Sequence, residues 1–278
     1  MITAEDGYQL SAVYARPVGE STGAIVLSSA TGVKKEFYIN FTRYLVQNGY
    51  TVLLYDYRGI GESAPNNLKT SASYMHEWGT KDMNAMLNYM VEERKHTDII
   101  WVGHSVGAQL IGFLEKKQHI KKVIAINAAV GYWGYFPFPR NIAVCALWYV
   151  IGPLLIKMHG YGTMRRIGWG EDLPKNIILE WRQWCMNKNY FMKFLEQKIQ
   201  ADRFYHFTRP IIAVYTSDDF IANDKTVPLM MKFFPNAPLE IMKVPVEKHT
   251  RHKVGHIGIF RKKFERDLWP LLVGVIER

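Results

Sequence analysis

Only two cysteines, Cys145 and Cys185, occur in the 278 residues. Their spacing matches no zinc or redox motif, so a disulfide or metal framework is excluded as the source of stability. A cytoplasmic, reducing setting is the default expectation. No apolar run reaches the ~18 residues that a membrane-spanning helix needs. The longest, Ile142 to Ile156, is interrupted by Gly152-Pro153. A buried helix or a membrane-touching hairpin is expected there, packed on the core, on a second subunit or on a membrane surface. Met1 to Asp6 lacks the basic start and apolar core of a signal peptide. Gly59-Ile60-Gly61 lacks the following helix and lysine of a phosphate loop. His249 and His252 have the spacing of two helical metal ligands, but Lys248, Arg251 and Lys253 beside them would repel a cation and no acidic partner follows. No metal and no cofactor are therefore expected.

Acidic residues are outnumbered 25 to 35, which leaves a formal charge of +10. The basic residues are spread widely and form no nucleic-acid motif, so no nucleic-acid partner is expected. An anionic substrate or a membrane surface remains compatible with that charge. Apolar residues at 48% and charged residues at 22% place the chain among ordinary globular proteins and exclude disorder.

Short apolar runs alternate with helical patterns. Ile2–Ala4 and Leu10–Ala15 flank the turn signal Glu5-Asp6-Gly7 and read as a hairpin. Residues 24–29, 51–56, 99–102, 123–127, 211–215 and 239–244 read as buried strands. Helices are expected over 36–48, stopped by Gly49, and over 81–94, 106–117 and 260–276. Continuous apolar strands alternating with helices imply a mostly parallel sheet covered on both faces. Its ligands are expected beyond the carboxyl ends of the strands.

The alternation breaks between Gly131 and Phe207. This stretch holds 17 of the 38 aromatic residues and five of the eight tryptophans. It is too long for a simple loop. Pro174–Gln200 looks helical, with Ile177, Trp181 and Trp184 along one face. The expected organisation is a core of residues 1–130 and 208–278 carrying a helical, aromatic-rich cap of residues 131–207. Two or three of the cap tryptophans are expected to line a pocket.

Gly103-His104-Ser105-Val106-Gly107 is a G-x-S-x-G pattern set between a strand and a helix. A sharp strand-to-helix turn exposes the serine hydroxyl, and the helix directs amides and its positive dipole end toward a developing oxyanion. His104 is expected to point away from the serine. A serine needs a base, and the base an orienting acid. Asp218-Asp219 follows the strand at 211–215. Gly255-His256 follows the strand at 239–244 and a short basic loop. Either aspartate fits by position. Asp56 and Arg58 read as structural, tying loops around Gly59 and Gly61.

These residues resemble the α/β-hydrolase superfamily across nearly the whole chain outside the cap. Asp56 to Ser63 is similar to the family's D-x-R-G-x-G-x-S turn. The resemblance is strongest to the lysophospholipase and monoacylglycerol-lipase branch and to a group of bacterial predicted hydrolases. It implies an α/β-hydrolase fold with a mostly parallel eight-stranded sheet flanked by helices and a helical cap inserted after strand 6. Asp219 matches the acid of the family's G-x-x-D-x-x-V segment, here Thr216 to Ala222, and His256 its late histidine. The family's His-Gly pair after the third strand is replaced by Ser29-Ala30-Thr31-Gly32. The oxyanion hole is assigned to the amides of Val106 and Thr31, with Ala30 as the alternative to Thr31.

The expected function is hydrolysis of a carboxylic ester with an apolar acyl group, through Ser105, His256 and Asp219 and an acyl-enzyme. Thioester hydrolysis or acyl transfer would use the same three residues. A non-catalytic binding protein on the same scaffold is the third reading.

Overall fold

A computed structural model describes residues 1–198 and 202–278. Among the described residues nine strands form in chain order: β1 (Ile2–Thr3), β2 (Gln9–Leu10), β3 (Ala12–Ala15), β4 (Gly23–Ser28), β5 (Tyr50–Tyr55), β6 (Ile99–His104), β7 (Ile120–Ile126), β8 (Ile211–Thr216) and β9 (Leu239–Val244). Seven of them build one sheet in the order β3-β5-β4-β6-β7-β8-β9. Only β3 runs antiparallel, against β5. The expected count of eight is one too high. The N-terminal strands β1 and β2 pair with each other and stay outside the sheet. The insertion between β7 and β8 therefore follows the fifth strand of the main sheet in chain order, not the sixth.

Every residue of β5, β6 and β8 is buried. Side chains alternate between two cores: Val26 and Trp101 pack on one face of the sheet, Leu27 and Val102 on the other. This double coverage explains why these strands read as continuous apolar runs. β9 closes one edge and is largely exposed. β4 is flanked by β5 on one side and β6 on the other, so the chain reverses its winding direction there. The crevice at such a switch point is where the loops after β4 and β6 diverge.

Several helices are shorter than their patterns. The helix after β6 covers only Val106–Gln109, followed by a 3-10 turn over Ile111–Phe113. The Asn84 side chain ends it by taking the Phe113 carbonyl and the Glu115 amide. The last helix starts at Trp269 rather than Phe260, with Pro270 in its first turn. Proline is preorganised for that position.

The opposite error occurs at the long apolar run. Residues Arg140–His159 form one continuous helix of 20 residues, long and apolar enough by length and composition alone to cross a membrane, with only Val144, Leu147, Trp148 and Ile156 of it buried. Gly152-Pro153 does not break it. A widened π turn over Leu147–Ile151 directly precedes the proline and relieves the clash that its ring would make in a regular helix. The helix is thus neither buried nor a hairpin. The predicted helix at Pro174–Gln200 divides into Lys175–Cys185 and Met192–Lys198. Its final positions, Ile199 and Gln200, lie outside the described residues.

Candidate active site

The turn after β6 forces Ser105 into φ 52° and ψ −116°. A non-glycine residue in this region carries strain of about 1–3 kcal/mol, which the surroundings must over-determine. They do so through close backbone approach. A Cβ on Gly103 would lie 2.4 Å from the Gly107 carbonyl oxygen, and one on Gly107 would lie 2.3 Å from that of Ser28. The Ser105 amide donates to the Ile126 carbonyl at 2.8 Å. The Trp101 indole donates to the Gly107 carbonyl at 2.9 Å. Both glycines of the pattern are therefore packing requirements of the elbow.

Loops after β8 and β9 bring two further side chains to the serine. His256 Nε2 lies 3.0 Å from Ser105 Oγ. His256 Nδ1 lies 2.6 Å from Asp219 Oδ2. The Asp219 carboxylate is fully buried and also accepts the Ile221 amide at 2.8 Å. Asp218 faces elsewhere. Its two oxygens accept the amides of Val254 and Gly255 at 2.7 and 2.9 Å. Gly255 sits at φ 61°, so the acid beside the proton line fixes the left-handed turn that delivers His256.

Three residues behind the imidazole were not singled out as partners by the sequence. The His256 carbonyl accepts from Asn127 Nδ2 at 2.7 Å and lies 2.9 Å from His104 Nε2. A carbonyl only accepts, so His104 carries its proton on Nε2. Its Nδ1 then accepts from the Tyr38 hydroxyl at 2.7 Å. Burial, with a contribution from the nearby His256, pushes the His104 pKa down to about 3, so it is neutral at pH 7. The Tyr38 oxygen in turn accepts the Ala30 amide at 3.0 Å. Ala30 is thereby occupied. The Thr31 and Val106 amides donate to no group among the described residues. Val106 opens a helix, where no intrahelical acceptor exists.

The family model of serine aminopeptidases, S33, matches residues 19–166, more than half of the chain. The chain belongs to this family. It is an α/β-hydrolase. The matched stretch contains Ser105, while Asp219 and His256 lie beyond it. No curated protein matches in sequence. Among solved structures, an esterase from Exiguobacterium antarcticum is 16% identical with a TM-score of 0.61, covering 100% of this chain and 98% of that one. A monoacylglycerol lipase from Paleococcus ferrophilus is 13% identical with a TM-score of 0.61, covering 96% and 98%. A bromoperoxidase from Bacillus anthracis is 15% identical with a TM-score of 0.59, covering 100% and 99%. At such identities these likenesses concern the fold.

In this α/β-hydrolase, Ser105 and His256 open into a cavity of about 200 Å³ walled by Thr31, Trp169, Trp181 and Phe220. Two insertion tryptophans thus face the serine, while Trp184 is buried in the insertion. Asp56 and Arg58 stand apart from the cavity. Asp56 accepts the amides of Lys35 and Glu62 and pairs with the Lys35 ammonium. Arg58 pairs with Asp82 and Asp6. His249 and His252 are exposed and outside the site. Among the described residues no group of three His, Cys, Asp or Glu side chains is placed to hold a metal ion.

Proposed function

We propose that this hydrolase cleaves carboxylic esters of apolar acids through Ser105, His256 and Asp219. One observation carries the reading: the unbroken line from Ser105 Oγ through the imidazole to a buried carboxylate, with links of 3.0 and 2.6 Å. His256 removes the hydroxyl proton as Ser105 attacks the acyl carbonyl. Asp219 holds the tautomer with the proton on Nδ1 and stabilises the imidazolium. The Thr31 and Val106 amides receive the oxyanion. His256 then protonates the leaving alkoxide, and water releases the acyl group by the same steps. Residues 131–207 act as a cap whose aromatic walls hold the acyl part.

Two observations favour an apolar ester over an aminopeptide. None of the side chains lining the cavity is a carboxylate, which a substrate α-ammonium would require. Aromatic and aliphatic groups dominate the walls. The test is hydrolysis of a p-nitrophenyl ester series from acetate to decanoate, alongside aminoacyl p-nitroanilides, by wild type and Ser105→Ala. The expected result is ester turnover that rises with chain length and falls by about 10⁴-fold or more in the variant. Full activity in Ser105→Ala would overturn the mechanism. Faster thioester than ester cleavage would move the substrate assignment while leaving the triad.

A further inference from the structure

The helix Arg140–His159 packs one face onto the insertion through Val144, Leu147, Trp148 and Ile156. Its other face exposes Ile142 by 57%, Val150 by 63%, Leu154 by 56% and Met158 by 67%. An apolar face along a helix of about 30 Å is costly in water and marks an interaction surface. We propose that this face docks side-on against an anionic lipid bilayer.

Charge argues for that occupant. From Lys116 to Gly170 the sequence contains no aspartate or glutamate. Arg140 opens the helix, Lys157 lies near its end, and Arg166 follows in the next turn, all exposed. The Lys69 side chain adds a further cation against Gly160 at the helix terminus. An apolar face rimmed by cations suits an anionic interface, where burial and electrostatic attraction act together. Packing of the opposite face onto the protein through Val144, Leu147, Trp148 and Ile156 favours side-on approach over a span surrounded by lipid.

Position gives the docking a consequence. Beside this helix lies a mainly apolar recess of about 520 Å³, lined by Ala143, Leu147 and Ile151 of the helix, by Trp169 and Phe220, and by Arg140, whose guanidinium stands over the Phe220 ring. Trp169 and Phe220 also wall the Ser105 cavity. A docked helix would set the recess at the bilayer surface as a path for an acyl chain toward the serine. This path rests on the proposed function, whereas the docking does not.

The experiment is flotation of the full chain with vesicles of phosphatidylcholine alone or mixed equally with phosphatidylglycerol. Wild type and Ser105→Ala should both float with the anionic vesicles, and less at high salt. Val150→Asp combined with Leu154→Asp should weaken binding by roughly tenfold or more. These two residues line neither cavity, so turnover of a short soluble ester should be unchanged and confirms folding. Lys157→Glu with Arg166→Glu should abolish the preference for anionic vesicles. Four results would overturn the proposal: no flotation, equal binding to neutral vesicles, unaltered binding of the double aspartate variant, or resistance to alkaline carbonate extraction. A dimer in light scattering that the aspartates dissociate, without vesicle binding, would assign the face to a second copy and likewise overturn it. Flotation is read without turnover, so loss of the esterase reading and loss of the docking are separate results.

Discussion

Acid should destabilise this fold through one buried imidazole, that of His104. In the unfolded chain it titrates near 6.5, and in the folded protein at about 3, because burial and the neighbouring His256 disfavour its charged form. Between these values the unfolded state binds a proton that the folded state refuses. Stability from this group is therefore complete above 6.5 and lost progressively as pH falls. Each pH unit carries about 1.4 kcal/mol, so at pH 4.5 the loss is on the order of 3 kcal/mol. That is a large share of the ~5–15 kcal/mol that holds a typical domain folded. His104→Gln keeps an uncharged donor within reach of the His256 carbonyl and removes the titrating group. Urea unfolding of both proteins, followed by tryptophan fluorescence from pH 7.5 to 4.5, isolates the effect, since every other titrating group is shared. Wild type should lose on the order of 3 kcal/mol more than the variant over this range. Equal losses would refute the assignment of a neutral, hydrogen-bonded His104.

The two adjacent aspartates should separate by assay. Asp219→Asn should lower kcat by about 10⁴-fold by presenting the wrong hydrogen-bonding group to His256. Asp218→Asn, which weakens acceptance of two backbone amides, should instead lower stability by about 1–3 kcal/mol in urea unfolding, with the smaller effect on kcat. Thr31→Pro removes a backbone donor and should reduce kcat by about 10²–10³-fold, while Thr31→Ala retains that donor and should stay within a few-fold. Steady-state kinetics on a short ester measure both.

Legibility followed the range of the interactions. β5, β6 and β8 could be read because burial on both faces writes an unbroken apolar run into local sequence. The elbow could be read because Gly103 and Gly107 are demanded by contacts that any such turn makes. Helix ends were misjudged where a distant group intervenes, as Asn84 does at Phe113 and Glu115. The helix at Arg140–His159 was misread for the converse reason: Gly152-Pro153 is a local breaker that a π turn absorbs. The spacing of Asp218 and Asp219 left them equivalent, because only the fold directs one carboxylate to the imidazole and the other to Val254 and Gly255. The contacts of Tyr38 with His104, and of His104 and Asn127 with the His256 carbonyl, span 66 to 152 residues, and nothing local marks them.

The binding wall and the candidate oxyanion loop are physically joined, and this makes their effects inseparable. The Glu171 amide, in the insertion, donates to the Gly32 carbonyl at 2.7 Å. That bond fixes the Gly32–Val33 peptide, two peptide units beyond the Thr31 amide. Gly170 beside it sits at φ 101°, and a Cβ there would lie 2.4 Å from the same Gly32 oxygen. The clash is with backbone, so a rotamer change cannot relieve it. Gly170→Ala must push the loops apart and also strain its own φ. If Trp169 and Gly170 only shaped the acyl site, such a change would raise KM and spare kcat. Because it also displaces the Gly32–Val33 peptide, and through Gly32 the turn that carries the Thr31 amide, kcat on a short ester should fall by about tenfold or more, since oxyanion donors act only within a few tenths of an ångström of their intended place. A rise in KM with unchanged kcat would show that the insertion and the oxyanion loop move independently.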